Sequence, residues 1–316
     1  MTPSSHVTVS IDLSRIRSNV QSVRQAAGVP VIAVVKADAY GLGARQVART
    51  IAHLVDGFYA FDLREVIEAR LAETGRRTIV LRGDSPDAAD YISLRAQPAV
   101  WIEAVAATLK AASPVLSVDT GQQRFGVPVD DRRRIEGILR AGEIVEAFTH
   151  ATQVEQAQAL LAALRDDVSI LHAAGTALLA EYDARLDAVR PGLALYEGAV
   201  QTSAPLIEIR DSGRPAGYTG FTVPRHGVIL AGYSNGLRVG PCSINGRQSR
   251  ILEVGMQSAF VECGPGDHVG DEVELLGHTV TMPDVAAAWQ TSPQAVLLQM
   301  TAMGERRYQG LPDVPD

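Results

Sequence analysis

Val31-Ile-Ala-Val-Val-Lys36-Ala-Asp-Ala-Tyr40-Gly41-Leu-Gly43 is a short apolar run that ends on a lysine and then breaks at two glycines. A β-branched run of this length, bounded by turn residues, suits a buried strand. Lys36 then sits at the strand's C-terminal end, which in a parallel barrel is the end that faces the active site. Burial there disfavours the charged amine and suits it to Schiff-base chemistry. The plainer reading is a lysine that emerges into solvent. Gly41 and Gly43 follow a strand and precede a helix, as in a dinucleotide-binding turn. The third glycine of that pattern is missing, because position 46 is Gln46, so the glycines read as a tight turn.

Outward from this stretch, strand-like and helix-like segments alternate. Val7 to Ile11 reads as a strand, and Asp12 as the cap of a helix from Leu13 towards Ala26. Pro30 to Val35, Gly57 to Phe61, Thr78 to Leu81, Ala99 to Ile102, Val115 to Val118, Glu146 to Thr149, Val168 to Leu171 and Leu186 to Val189 read as strands. Helices fall between them at Ala44 to Leu54, Leu63 to Glu73, up to Ala112, and after Thr149 with Val154, Ala157, Leu161 and Leu164 on one face. Such alternation argues for parallel strands covered by helices. The number of units favours a closed barrel. An open doubly wound sheet obeys the same periodicity.

The pattern changes near residue 200. Turn signals such as Asp211-Ser-Gly213, Ser234-Asn-Gly236, Ile244-Asn-Gly246 and Gly264-Pro-Gly266 separate short apolar runs at Gly227 to Ala231, Ile251 to Val254, Ala259 to Glu262 and Glu272 to Leu276. This is an all-β pattern, with one helix expected around Asp284 to Trp289. The boundary falls in Gly198 to Pro205, giving an α/β domain over residues 1–200 and a β domain over 201–316. The acidic, proline-containing tail Gly310 to Asp316 is expected to fray.

Composition narrows the function. The 316 residues carry 29 Lys+Arg against 36 Asp+Glu, a net charge of −7. That balance argues against a dedicated nucleic-acid binder, which needs a basic surplus or stripe. Hydrophobic residues make up 46%, enough to fold and too many for a disordered chain. No apolar run is long enough to predict a membrane span. Met1 to Ser10 lack the basic-then-apolar order of a signal peptide. Cys242 and Cys263 show no metal-ligand spacing, and with these features they point to a cytoplasmic protein with free thiols.

Val35-Lys36-Ala-Asp-Ala-Tyr40-Gly41 closely resembles the pyridoxal-phosphate lysine motif of the alanine racemase family. Ile11-Asp12-Leu13 with Ile16-Arg17 and Asn19 is similar to the family's N-terminal signature. The resemblance continues in order through Val118-Asp119-Thr120-Gly121 with Arg124 and Gly126, Phe148-Thr149-His150, His172-Ala-Ala-Gly175-Thr176-Ala177 and Arg190-Pro-Gly192-Leu-Ala-Leu-Tyr196. It ends with Gly217-Tyr218-Thr-Gly220, Gly232-Tyr233-Ser-Asn-Gly236 and Val254-Gly255-Met256-Gln257. It covers nearly the whole chain. It implies a (β/α)8 TIM-like barrel that binds pyridoxal 5'-phosphate, followed by a β domain, and so chooses the barrel over the open sheet.

The resemblance also implies roles. Lys36 holds the cofactor as a Schiff base and, once displaced by the amino acid, acts as one general base. Tyr218 is the second base on the opposite face, because inversion at Cα needs one group to remove the proton and another to return it. Tyr40, Thr176 and the backbone amides of Gly192 and Leu193 take the phosphate. Arg190 faces the ring nitrogen, and because it keeps its proton that nitrogen stays unprotonated. His172 stands behind Arg190, and His150 occupies the family's other histidine position, where a histidine tunes the tyrosine. Arg124, Tyr233 and Met256 lie near the substrate carboxylate or the cofactor's phenolic oxygen. No metal is expected. The site is shared between two subunits of a head-to-tail homodimer, the barrel of one meeting the β domain of the other.

Taken alone, several of these residues read more plainly. Tyr218 and Met256 would pass for core residues of the β domain, and Arg190 for a cap or surface arginine. The chain also departs from the family pattern. Ser117 stands where the family usually has a lysine, Leu42 replaces a histidine, Gly175 an asparagine, and Asn235 and Gln257 two acidic residues. Met303-Gly304-Glu305-Arg306-Arg307 replaces the usual C-terminal segment. The expected activity is racemisation of alanine or another small amino acid. The alternatives are a pyridoxal-phosphate-dependent decarboxylase or aldolase on the same fold, and a non-catalytic carrier. Arg190 argues against the decarboxylase, and the β domain against the carrier.

Overall fold

The computed structural model of the protein describes residues 7–83 and 85–310. The expected frayed tail beyond Gly310 and the first six positions lie outside the described residues. The chain forms two compact units. Among the described residues, one comprises Ile16–Ala39 and Gly43–Glu197; the other comprises residues 7–15, Tyr40–Leu42 and residues 198–310.

The first unit is the parallel barrel. Strands Ile32–Val34, Gly57–Ala60, Arg77–Val80, Ala96–Val100, Val115–Asp119, Glu146–Ala151 and Ile170–Ala174 pair in that order, all parallel. The eighth position is the short segment read as Leu186 to Val189. Ala188 bridges His172 on one side, and Val189 bridges Val31 on the other. The Ile32 amide donates to Val189 (2.9 Å), the Val34 amide to Pro191 (2.9 Å) and the Arg190 amide to Ala174 (2.8 Å). Both edges of the sheet meet this one segment, so the sheet closes, and the doubly wound alternative is excluded. The strands Ile32–Val34 and Gly57–Ala60 are buried at every residue, as expected where interior side chains fill a barrel and helices cover its outside.

The second unit is built on Val200–Asp211, a twelve-residue strand that pairs with Thr8–Asp12, Glu272–Leu276 and Arg225–Ile229. Glu272–Leu276, Pro241–Ile244, Arg247–Val254, Ala259–Glu262 and Arg225–Ile229 follow as antiparallel neighbours and return to Val200–Asp211. The result is a closed antiparallel β structure. Thr8–Asp12 and Glu305–Gln309 extend it as a parallel pair. Asp12 caps the helix Leu13–Ala27 as expected, its carboxylate accepting the Arg15 amide at 3.0 Å.

Several elements differ from the sequence reading, the helix Arg132–Gly142 among them. The β domain holds a second helix, Pro293–Thr301, beside Met282–Trp289. It starts at Ser292, whose hydroxyl accepts the Ala295 amide at 3.3 Å, followed by a proline at the first helical position, a recognisable start signal. Val200–Asp211 is a continuous strand although it overlaps the expected boundary. The strand expected at Ala99 to Ile102 is Ala96–Val100, accommodating Pro98. On the helix Val154–Leu164 the buried face is Ala157, Leu160 and Leu164. Cys242 and Cys263 are free and buried. Burial pushes their thiols up to about 12 and about 11, which leaves them little thiolate character. Among the described residues no helix is long and apolar enough to cross a membrane.

Candidate active site

Lys36 leaves the first barrel strand at its C-terminal end, and the chain then does something costly. Ala37, Asp38, Ala39 and Tyr40 all take the left-handed conformation, with φ of 54°, 54°, 53° and 58°. Each L residue held there costs about 1–2 kcal/mol. Hydrogen bonds from outside the turn offset that strain. The Glu65 carboxylate accepts the Ala37 amide (2.7 Å) with one oxygen and the Phe61 amide (2.7 Å) with the other. Asp38 accepts the Ala44 amide at 2.7 Å, at the start of the helix Ala44–Ile51. Tyr40, which belongs with the β unit, receives the Thr301 hydroxyl at its carbonyl (3.3 Å). Gly41 has φ +82°, and a Cβ there would stand 2.1 Å from the Thr301 hydroxyl oxygen, so only glycine fits this tight turn.

Lys36 is half-buried, and its amine is pushed down, first by burial and then by the positive charges of Arg124 and Arg190; Glu65 opposes them. His150 feels the same charges. Although its residue surface is exposed, partial desolvation with Arg190, Lys36 and Arg124 lowers its imidazole to about 4.

Arg190 ends the eighth strand segment and is only 5% exposed. Its guanidinium donates to the Thr149 carbonyl and lies 4.4 Å over the Phe148 ring and 5.1 Å over the Tyr59 ring. Its Nε is buried with no partner among the described residues. Phe148 stacks on the fully buried His172, with centroids 5.4 Å apart and planes 11° from parallel. The hydrogen bond of His172 goes to Glu146 rather than to Arg190, with Nε2 at 3.0 Å from the carboxylate. Arg77 grips the same carboxylate with both guanidinium nitrogens. Burial alone would raise the Glu146 carboxyl, but the bonds from His172 and Arg77 outweigh it and hold it at about 2. Burial lowers His172 to about 4, against the pull of Glu146. A neutral imidazole that donates Nε2–H to a carboxylate leaves Nδ1 as an acceptor, and that nitrogen is also without a partner among the described residues.

Arg124 lies in a strained loop between Gln123 (φ 55°) and Phe125 (φ 47°). Ser117 is buried and donates its hydroxyl to the Phe125 carbonyl at 2.5 Å. The Phe125 ring meets Phe61 and Trp101 edge-on at 6.5 and 5.9 Å. A hydroxyl and an aromatic cluster thus hold this loop. Thr176 accepts the amides of Gly192 (3.1 Å) and Ala194 (3.2 Å), which fixes the backbone on either side of Leu193.

Tyr218, Tyr233 and Met256 belong to the β unit, where they share one rim. Tyr218 is 93% exposed, and the other two are also exposed, so the reading of Tyr218 or Met256 as core does not hold. The Tyr233 and Ser234 amides donate to the carbonyls of Gly255 and Met256 at 2.9 and 3.0 Å. The Tyr218 ring lies within 4.0 Å of where a Cβ on Gly255 would stand. The Glu253 carboxylate accepts the Tyr218 and Thr219 amides at 2.8 and 2.7 Å.

The sequence reading missed Glu65, Glu146, Arg77, Tyr59 and Glu253. Asp62-Leu-Arg-Glu65 carries the spacing of a helix start. Glu146 and Arg77 are charged residues at the heads of apolar strands, where charge is rare unless paired.

Arg124 and Arg190 both lower the Lys36 amine, with Glu65 as the opposing carboxylate, and a buried guanidinium nitrogen of Arg190 lacks a partner among the described residues. The donor set therefore fits an anion. A closed parallel barrel with a cationic, lysine-bearing mouth, continued in sequence by a closed β domain, defines a class of barrel enzymes built around an anionic ligand. Family models place the chain within it: the alanine racemase N-terminal domain matches residues 11–200, and the C-terminal domain residues 200–308. The chain belongs to the alanine racemase family. It is 30% identical to the alanine racemase of Aeromonas hydrophila, over 92% of this chain and 96% of that one. It is 28% identical to that of Pseudomonas entomophila, over 92% and 95%. The crystal structure of the biosynthetic alanine racemase from Pseudomonas aeruginosa is similar with a TM-score of 0.85 at 27% identity, covering 96% of this chain and 99% of that one. The Bartonella henselae enzyme, solved with covalently bound pyridoxal phosphate, shares the fold with a TM-score of 0.84 at 22% identity, covering 96% and 99%.

Proposed function

We propose that the chain is a pyridoxal-phosphate-dependent racemase of alanine or another small amino acid, with Lys36 and Tyr218 as its two bases. As a member of its family it is an isomerase acting on an amino acid. The observation that carries the reading is the convergence of Lys36, Arg190 and Arg124 at the mouth of a family barrel. Bound pyridoxal phosphate supplies the electron sink that makes the Cα proton acidic.

The residues fit that cofactor. Lys36 would hold it covalently, and its lowered proton affinity favours the free amine that such bonding and later proton removal require. Thr176, the Leu193 amide and Tyr40 would take the phosphate, joined by the Gly192 amide once it turns from the Thr176 hydroxyl, to which it donates here. Arg190, fixed by Thr149, Phe148 and Tyr59, would donate to the ring nitrogen and keep it from being protonated. His172, anchored by Glu146, backs this side of the barrel, while His150 stays neutral beside the cations. Arg124 would receive the substrate carboxylate, with Tyr233 and Met256 at the entrance.

Tyr218 would return the proton on the other face, supplied by a second copy in a head-to-tail homodimer. Its exposed ring supports a role towards another surface. The barrel domain spans residues 1–200, lending its first strand to the β domain of 201–316. The enzyme is cytoplasmic, consistent with two buried free thiols, and has no nucleic-acid partner.

The test is deuterium exchange at Cα. The holoenzyme is incubated in D2O with a panel of L- and D-amino acids, followed by NMR and chiral chromatography. Exchange with inversion on alanine or another small amino acid supports the reading and names the substrate. Loss of carboxylate or side chain would instead assign a lyase, and absence of exchange a carrier.

A further inference from the structure

We propose that Glu253 is the positioning residue of Tyr218: its carboxylate clamps the Gly217–Gly220 turn so that the phenol projects from a fixed backbone. The inference rests on the reading of Tyr218 as a base.

A ring that is 93% exposed has little packing to hold it. Within its own subunit its position comes from its backbone, and Glu253 fixes that backbone. One carboxylate oxygen accepts the Tyr218 amide at 2.8 Å. The other accepts the Thr219 amide at 2.7 Å and the Thr219 hydroxyl at 2.5 Å. Hydrogen bonds to an ionised acceptor are about twice as strong as neutral ones. The turn is otherwise closed by the Ala216 amide donating to Phe221 at 2.9 Å. Gly217 has φ +69°, and a Cβ there would stand 2.6 Å from the Glu253 carboxylate, so the turn is shaped around this group.

Glu253 is itself held. It is only 6% exposed, and it follows a register shift between Ile251 and Glu253 in the strand Arg247–Val254. A bulge of this kind re-aims a side chain. Two residues on, the same chain presents the Gly255 and Met256 carbonyls that hold Tyr233 and Ser234. One strand end therefore organises the whole rim. A phenol displaced by about 1 Å can cost about 100-fold in proton transfer.

The experiment compares wild-type holoenzyme with Tyr218→Phe, Glu253→Gln and Glu253→Ala. It reads racemisation, cofactor absorbance, and Cα-deuterium exchange from each enantiomer separately. If Tyr218 serves one face, Tyr218→Phe abolishes exchange from one enantiomer and leaves the Lys36-facing one intact. Glu253→Ala is expected to lower kcat about 100-fold and Glu253→Gln less, with KM within about twofold. Both should lose exchange from the same enantiomer that Tyr218→Phe affects, and keep cofactor absorbance. Should the Glu253 variants not fold, Thr219→Val removes one bond of the clamp and should show the same one-sided loss, a few-fold in size. Wild-type racemisation in the Glu253 variants, or equal loss from both enantiomers, overturns the proposal while a one-sided Tyr218→Phe result leaves the base assignment standing. If Tyr218→Phe keeps both exchanges, the base assignment falls and the clamp proposal with it.

Discussion

Ala37→Gly should stabilise the protein, and the sign of that effect tests the backbone beside Lys36. Ala37 is exposed and has φ 54° and ψ 49°. An L residue there carries about 1–2 kcal/mol of steric cost that glycine does not. Against this, glycine adds about 0.5–1 kcal/mol of unfolded-state entropy. The Ala37 amide bond to Glu65 is a backbone donor and survives the change. The net expectation is a gain of about 0.5–1 kcal/mol. In an ordinary right-handed helix the same substitution costs about 1 kcal/mol. Ala162→Gly, at an exposed site in the helix Val154–Leu164, supplies that control. Both are read as shifts in denaturant midpoint at unchanged m-value. If Ala37→Gly loses stability as Ala162→Gly does, the left-handed turn is not strained and the account of how Lys36 is held is wrong.

Glu146→Ala should cost about 3 kcal/mol, the low end for breaking a buried ion pair, because Arg77 keeps 31% side-chain exposure and water can partly solvate it. Glu146→Gln keeps the shape and an acceptor, and should cost nearer 1 kcal/mol; equal losses in a denaturant titration would show that the charge is not what matters. Acid should destabilise the fold in two stages. His172 is lowered from 6.5 to about 4 in the fold, so its contribution is present above 6.5 and lost as pH falls towards 4. Glu146 is lowered from 4.5 to about 2, so its contribution is lost as pH falls from 4.5 towards 2. Unfolding curves at stepped pH should show the first stage shrink in His172→Gln, the remainder coming from His150, which is lowered over the same range; an unchanged limb would assign the stage to other groups. Tyr218→Phe should slow racemisation equally from either enantiomer, because the two are equal in free energy, while exchange without inversion survives from only one. Parallel loss of both exchanges on NMR would refute its role as a one-sided base.

Groups that speak through local pattern were legible in the sequence. A buried strand that ends in lysine, the eight-fold alternation of strands with helices, and the change to turn-rich segments near residue 200 each follow from periodicity and turn chemistry. The short eighth strand was legible too, although two bridges hold it. The helix Pro293–Thr301 was missed because its Ser-Pro start sits in a segment otherwise rich in turns. Val200–Asp211 was missed because its alternation is interrupted: Thr202, Ser203 and Ala204 are buried in succession across a register shift.

The carboxylates Glu65, Glu146 and Glu253 share a different reason for being invisible. Each acts on partners 26 to 35 residues away, or 69 for Arg77, apart from the local Phe61 amide, and no local spacing encodes such a pairing. Each also holds a group with a proposed role rather than taking one itself: the backbone after Lys36, the imidazole behind Arg190, the turn of Tyr218. Reactive groups are constrained by the chemistry they perform, so their surroundings leave a motif. A supporting carboxylate only has to arrive at the right place, and any strand that brings it there will serve. Ser117 makes the same point from the other side. A hydroxyl bonded to the Phe125 carbonyl, with Phe61 and Trp101 packed on the Phe125 ring, braces the Arg124 loop where the sequence resemblance leads one to expect a lysine. What has to persist for Arg124 to serve the carboxylate-binding role proposed for it is the restraint on its loop rather than the identity of the residue that imposes it.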